Sequence, residues 1–122
     1  MDPRELIARR VARELRDNTL VNLGIGLPTV VARFVPPGLR VYFQSEYGII
    51  GFGARPPEGM EDVHLTDAGG AFVSALPGAV AFDSATSFAL IRGGHLDMTV
   101  LGGLQADRRG RALSSWRASG RT

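Results

Sequence analysis

The hydrophobic pattern at the start of the chain predicts an amphipathic helix. Residues 3–17 place apolar side chains on one face at helical spacing, with arginine and glutamate on the other face. The apolar positions are Leu6, Ile7, Val11 and Leu15. Pro3 suits a first helical turn and Asp2 can cap it. Asp17-Asn18 is expected to end the helix.

Further along, short apolar runs that end at glycines alternate with helical segments. The runs at 20–23, 40–45, 71–76 and 98–101 predict strands, and the segments at 28–34 and 83–91 predict helices. The stretch 54–62 is rich in proline, glycine and acidic residues, so we expect an exposed loop there. This order is typical of an α/β fold with a mostly parallel sheet flanked by helices.

The composition indicates one globular domain without disulfides. The chain has 122 residues, of which 44% are apolar and 21% charged, an ordinary balance for a single core. It has no cysteine, which fits a reducing compartment such as the cytoplasm and excludes a thiolate nucleophile. His64 and His95 lack metal-ligand spacing, so no metal site is predicted. No apolar run reaches about 18 residues, so no membrane span is expected.

Positive charge is concentrated towards the end of the chain. All 14 basic residues are arginine, and residues 108–122 contain five of them and no acidic residue. A basic tail can indicate nucleic-acid binding, but Trp116 is its only aromatic residue, so no nucleic-acid partner is expected. We predict a domain at 1–106 followed by a poorly ordered arginine-rich tail at 107–122.

Glu46 is the first candidate for chemistry. It follows the predicted strand at 40–45 directly and precedes Gly48 by two residues. The carboxyl ends of strands form the ligand crevices of α/β folds. A glutamate there is ionised at neutral pH without a helper base, and it can attack an activated acyl carbon. On position alone, a surface glutamate in a turn remains the alternative.

Two glycines after the first predicted strand form the second candidate. Asn22 precedes Gly24 and Gly26, which separate the strand from the next helix and allow a close approach of the backbone to a polar or anionic group. The spacing does not continue as GxGxxG, because position 29 is threonine, and there is no P-loop sequence. A substrate loop and a plain tight turn both remain open.

Five segments in a fixed order carry a resemblance to a known family. They are VNLGIGLPT at 21–29, QSEYGIIGFG at 44–53, DAGG at 67–70, ALPGAVAFDSATSFALIRGGH at 75–95 and LDMTVLGGLQ at 96–105. Together they resemble the B-type chain, or C-terminal half, of family I coenzyme A-transferases of the succinyl-CoA:3-oxoacid and 3-oxoadipate type. The resemblance extends from about residue 4 to 106 and implies the CoA-transferase α/β fold.

The resemblance implies a ping-pong transfer of coenzyme A. The glutamate of the family's SENG motif matches Glu46, which would take CoA from an acyl-CoA such as succinyl-CoA through a mixed anhydride and a glutamyl-CoA thioester. The second acid would be a 3-oxoacid or a related carboxylate. The family also implies an A-type partner subunit, a hetero-oligomer in the bacterial cytoplasm, and no bound cofactor beyond the CoA substrate.

The supporting residues at this site are predicted from the same motifs. The backbone around Gly24 and Gly26, with Asn22, is expected to line the pocket, and Gln44 and Ser45 are expected to fix the strand of the glutamate. The predicted substrate-binding residues are Asn22, Gly24, Gly26, Gln44, Ser45 and Gly48.

The chain departs from the family pattern at two places. Tyr47 stands where the family usually has asparagine, so the acyl preference of relatives cannot be copied. Gly110–Trp116 is a faint echo of a GDLANW-like segment, after which the family continues into a glycine-rich stretch. We therefore expect a shortened chain and a sheet that is incomplete at its C-terminal end. A catalytically inactive remnant, or a structural subunit of the same fold, remains the alternative function.

Overall fold

The computed structural model describes residues 1–113, which form a five-stranded sheet with helices on both faces and a separate two-stranded hairpin. A 3₁₀ turn at Val31–Phe34 extends the second helix. The elements in chain order are α1 (Pro3–Ala12), β1 (Thr19–Leu23), α2 (Leu27–Val30), β2 (Val41–Ser45), β3 (Ile49–Phe52), β4 (Ala75–Ala81), α3 (Ser84–Arg92), β5 (Met98–Val100), β6 (Gln105–Ala106) and β7 (Ala112–Leu113).

Helix α1 begins where the sequence predicts but ends earlier. Asp2 caps it, because its carboxylate accepts a hydrogen bond of 3.1 Å from the backbone N–H of Arg4. Its buried contacts come from small side chains, Ala8 and Ala12, which let the helix lie close to the sheet. Leu6 and Ile7 were expected on the buried face, but they are exposed. That part of the prediction is wrong.

The sheet has the strand order β4-β3-β2-β1-β5. Strand β1 runs parallel to both β2 and β5, whereas β2–β3 and β3–β4 are antiparallel pairs. The α/β class is confirmed, and the sheet is mixed where the sequence predicted it to be mostly parallel. The reason is the short connection Glu46–Gly48, because only antiparallel neighbours can be joined by so few residues.

Strand β4 differs from its prediction. The sequence predicted a strand at 71–76 that ends before Pro77-Gly78, but β4 runs through both residues. Proline lacks an N–H donor, and it is tolerated here because β4 lies at an edge of the sheet. Gly78 adopts φ +86°, and the pairing with β3 shifts register along the same stretch.

The hydrophobic core lies between α1, the 3₁₀ turn and one face of the sheet. Phe43 and Phe52 pack with ring centroids 6.0 Å apart and an interplanar angle of 34°. Their neighbours in the buried cluster are Ala8, Ala12, Leu15, Val21, Leu23, Val31, Ile49, Val73 and Val100. Helix α3 covers the opposite face, and Ser87 is its buried residue. Helix α3 therefore buries fewer of its residues against the sheet than α1 does.

The predicted boundary between 106 and 107 falls inside the β6–β7 hairpin. Residues 107–113 form its turn and second strand. Asp107 organises the turn, because Arg111 donates to its carboxylate from both backbone and side chain, which lowers the Asp107 pKa below its ordinary value. Trp116, Arg117 and Arg121 lie outside the described residues.

Nothing in residues 1–113 forms a helix with the length and apolarity needed to cross a membrane.

Candidate active site

Three parallel strands end at the same edge of the sheet and bring both candidate segments together. Strand β1 runs into Gly24, β2 into Glu46 and β5 into Leu101. Asn22 pairs with Gln44, so Gly24 and Glu46 each follow this last pair by two residues on neighbouring strands. On the other side, the Gly24 N–H donates to the Val100 carbonyl at 2.9 Å. The sheet therefore joins two segments that are separate in sequence.

The glycines of the first segment meet different requirements. A Cβ on Gly24 would lie 3.2 Å from the Val100 carbonyl oxygen and 3.1 Å from the Leu101 side chain, so β5 packs closely there. Gly26 adopts φ +84° in open space, so its backbone conformation is what favours glycine. The helix after it is a single turn, and its Thr29 N–H is already donated to the Gly26 carbonyl.

Glu46 lies half-buried in the loop between β2 and β3. The loop residues are held by Ser45, whose carbonyl accepts from the Gly48 N–H at 3.0 Å and whose hydroxyl accepts from the Tyr47 N–H at 3.4 Å. Within residues 1–113 the Glu46 carboxylate makes no hydrogen bond and no ion pair. The carboxylate is therefore not committed to a structural role in this part of the chain.

Tyr47 follows the glutamate where the family usually has asparagine. Its side chain is 59% exposed, so the ring extends from the loop into solvent in the described chain. The departure from the family motif is therefore accommodated without disturbing the core beneath it.

Gly48 packs closely against Phe82, which lies two residues before α3. Its carbonyl accepts from the Phe82 N–H at 2.8 Å, and its φ is +113°. A Cβ at this position would lie 1.9 Å from the Phe82 carbonyl oxygen, a separation that no side chain can occupy. Glycine is therefore required here by both backbone conformation and space.

Asn22 and Gln44 lie beneath the strand ends, inside the layer between the sheet and α3. Gln44 is fully buried, and its amide nitrogen donates to the carbonyl of Ser87 at 3.3 Å and to its hydroxyl at 3.0 Å. Asn22 accepts from the Thr99 hydroxyl at 2.9 Å. The substrate-binding role of both residues stays a prediction.

Ser87 and Thr99 were not singled out from the sequence. Each is a common polar residue inside a predicted helix or strand, and no local pattern marks either one as a partner of a buried amide. Their contacts with Gln44 and Asn22 join residues 43 and 77 positions apart. Only the folded chain reveals them.

Asp83 is the acidic residue at the start of α3. It caps the helix, because its carboxylate accepts from the Thr86 N–H at 2.7 Å. That backbone hydrogen bond lowers the pKa of Asp83 below its ordinary value. No cluster of three or more histidine, aspartate or glutamate side chains that could hold a metal ion occurs in the part of the chain that the structure describes.

A cavity of about 390 Å³ lies away from these residues. It is bounded by the 3₁₀ turn, strands β2 and β3 and the loop before β4, and its lining includes Arg33, Phe43, Phe52, Arg55 and Asp67. Neither Glu46 nor any predicted substrate-binding residue lines it. Glu46 therefore lies outside this cavity, at the edge of the sheet where β1, β2 and β5 end.

Comparisons with known proteins agree on one family. Residues 4–116 match the family described as Coenzyme A transferase. The chain is 53% identical over 121 residues to the beta chain of acetate CoA-transferase from Escherichia coli (strain K12), a match that covers 99% of the chain and 54% of that protein. It is 50% identical over 113 residues to the B-type chain of succinyl-CoA:3-ketoacid coenzyme A transferase from Helicobacter pylori, covering 93% of the chain and 54% of that protein.

A solved structure supports the fold. The acyl-CoA transferase apoenzyme from Escherichia coli O157:H7 is similar with a TM-score of 0.62 at 23% identity, over 89% of this chain and 18% of that one. The chain spans about half the length of the curated relatives it matches. The resemblance seen in the five sequence segments is confirmed by a family match over most of the chain: this protein belongs to the coenzyme A transferase family.

Proposed function

We propose that this chain carries the nucleophile of a CoA-transferase, which takes coenzyme A from an acyl-CoA such as succinyl-CoA and passes it to a 3-oxoacid or a related carboxylate. One observation carries the proposal. Glu46 directly follows the buried end of β2, in a loop with backbone hydrogen bonds at Ser45 and Gly48, and its carboxylate has no partner in residues 1–113. Membership of the family supports the same assignment.

The reaction begins with attack by a Glu46 carboxylate oxygen on the thioester carbonyl carbon. The C–S bond breaks, CoA leaves as a thiolate, and the acyl group remains on Glu46 as a mixed anhydride. The thiolate then attacks the glutamyl carbonyl, which forms the glutamyl-CoA thioester and releases the first acid. The carboxylate of the second acid then attacks the glutamyl-CoA thioester, which releases the CoA thiolate and forms a second mixed anhydride. The thiolate attacks the acyl carbonyl of the second acid in this anhydride, which forms the new acyl-CoA and regenerates the Glu46 carboxylate. Each covalent intermediate is an anhydride or a thioester of Glu46, so the activation of the original thioester is conserved provided that water is excluded.

The turn after β1 offers donors for the negative charge that develops on the carbonyl oxygen. The Gly24 N–H is donated to Val100, so it is not available. The N–H groups of Ile25 and Gly26 make no hydrogen bond within residues 1–113. A preorganised donor at such an oxygen is worth roughly 3 kcal/mol of transition-state stabilisation. We therefore assign these two backbone groups to the substrate side of the site.

The open strand edge also supports the proposal of a partner. Both curated relatives described above are named as one of the two kinds of chain in a two-chain enzyme, the beta or B type. We propose that an A-type subunit covers the Glu46 edge in a hetero-oligomer and supplies much of the CoA site. The lack of cysteine fits the reducing bacterial cytoplasm, which we propose as the compartment.

The test is covalent capture of coenzyme A. The chain is combined with an A-type subunit and an acyl-CoA, and its intact mass is measured. We expect an adduct of one CoA per chain, which Glu46→Gln abolishes because an amide oxygen is a poor nucleophile. Glu58→Gln is the matched control, because this glutamate is exposed in the loop before β4, and it should keep the adduct. A wild-type chain that forms no adduct with a verified partner would favour the structural alternative.

A further inference from the structure

Helix α3 holds the Glu46 loop on one side, and Phe82, which lies between β4 and α3, holds it on the other. Before the loop, Gln44 of β2 donates its amide to Ser87 of α3. After the loop, Gly48 accepts from the backbone of Phe82, two residues ahead of α3. We name these two contacts, Gln44–Ser87 and Gly48–Phe82, the α3 clamp. Glu46 lies between its two fixed points.

The Gln44–Ser87 contact is the buried part of the clamp. Both residues have no exposed surface, and the two hydrogen bonds measure 3.3 Å to the Ser87 carbonyl and 3.0 Å to its hydroxyl. The other amide atom, Oε1 of Gln44, finds no donor in residues 1–113. Because unpaired buried polar atoms are costly, the bonds to Ser87 are what keep this amide oriented inside the layer.

The geometry of β2 transmits this restraint to the glutamate. Gln44 stands two residues before Glu46, and only Ser45, the last residue of β2, lies between them. Anchoring Gln44 to α3 fixes the rotation of the strand about its axis just before Glu46. The fit of Gly48 against Phe82, with no room for a Cβ, fixes the backbone just after it.

We propose that Ser87 is a positioning residue for Glu46. Through the Gln44 amide it sets the direction in which the glutamate leaves β2, and it does not touch substrate. The proposal rests on the function proposed above for Glu46, and it extends that function to a residue on a different element. A misplaced nucleophile lowers the rate of the chemical step more than it lowers the affinity for substrate.

The first arm of the test does not depend on activity. Hydrogen exchange of single amides is followed by NMR in Ser87→Ala and in the control Ser84→Ala, which removes an exposed serine hydroxyl from the same helix. In Ser87→Ala we expect the Phe82 amide, which donates to the Gly48 carbonyl, to exchange about tenfold faster, because losing the Gln44–Ser87 hydroxyl bond weakens the clamp by about one hydrogen bond. Equal exchange in the two variants would overturn the clamp.

The second arm measures the chemistry in the complex with an A-type subunit. The rate of CoA-adduct formation is recorded against acyl-CoA concentration. In Ser87→Ala the maximal rate should fall about tenfold or more, with little change in the half-saturating concentration. Faster amide exchange with an unchanged maximal rate would overturn the positioning role. A wild type without adduct would refute the proposed function, and the exchange arm would then decide the clamp by itself.

A second variant keeps the test decisive if Ser87→Ala does not fold. Gln44→Met preserves the length of the side chain but removes both hydrogen bonds to Ser87. Combined with Ser87→Ala it forms a double-mutant cycle in the exchange and rate measurements. The clamp predicts that the two substitutions together change the rates little more than Gln44→Met alone. Fully additive effects would show that the residues act independently and would overturn the inference.

Discussion

Replacing Gly48 with alanine tests the packing of the Glu46 loop against α3. The backbone at Gly48 has φ +113°, a region that costs a non-glycine residue about 1–3 kcal/mol. The added Cβ would lie 1.9 Å from the Phe82 carbonyl oxygen, so Phe82 has to move and its 2.8 Å hydrogen bond to Gly48 is lost. That bond is worth about 1 kcal/mol. The total loss of stability is therefore about 3 kcal/mol.

The assay is thermal unfolding followed by circular dichroism. A loss of 3 kcal/mol lowers the Tm of a domain of this size by roughly 10 °C. Gly59→Ala is the matched control, because Gly59 has φ +85° with no atom within 4 Å of the added Cβ, and it should show only the backbone strain of about 1 kcal/mol. Gly102→Ala has neither feature and should change stability by less than about 0.5 kcal/mol.

The comparison of the glycine variants decides the reasoning. If Gly48→Ala loses no more stability than Gly59→Ala, then the close approach of Phe82 does not exist in solution. The α3 clamp would lose one of its two contacts in that case. A large loss confined to Gly48→Ala supports both the packing and the requirement for glycine beside the nucleophile.

Three individual side chains, those of Asp83, Leu23 and Glu46, lead to further predictions. Asp83→Ala should lower the Tm at neutral pH. Hydrogen bonding from Thr86 lowers the Asp83 pKa, so this stabilisation is present above the unfolded pKa and is lost as the pH falls below about 4. A Tm difference that does not change with pH would contradict the prediction. Leu23→Ala should cost about 2–5 kcal/mol in urea unfolding, since Leu23 is buried, whereas exposed Leu6→Ala should cost far less. Glu46→Gln should leave the Tm near wild type, as this carboxylate makes no hydrogen bond in residues 1–113.

The parts of the fold that depend on neighbouring residues were readable from the sequence. Asp2 caps α1 as predicted, because a cap needs only an acceptor beside the free N–H groups of the next turn. The parallel strands β1, β2 and β5 lie close to their predicted positions, since buried runs bounded by turn residues mark them. The order of five segments was sufficient for the family.

Strands β3 and β4 were harder to place from local pattern. Glycines interrupt β3, and Pro77-Gly78 within β4 has the composition of a turn. Both form strands because the short loop after β2 forces an antiparallel return, and an edge position tolerates proline. The sequence pattern also predicted burial wrongly for Leu6 and Ile7, which are exposed. Their helical spacing is correct, but the helix buries its alanine face.

The chain sequence by itself determined the family, the α/β class and the choice of Glu46 as candidate nucleophile, because each rests on residue types in a local order. The tertiary structure alone decided how that glutamate is held. Asn22 lies beside Gln44 through strand register, and Ser87 reaches Gln44 across 43 residues of chain. Such contacts depend on which surfaces meet after folding, and residues distant in sequence carry no local mark of the partner they will contact.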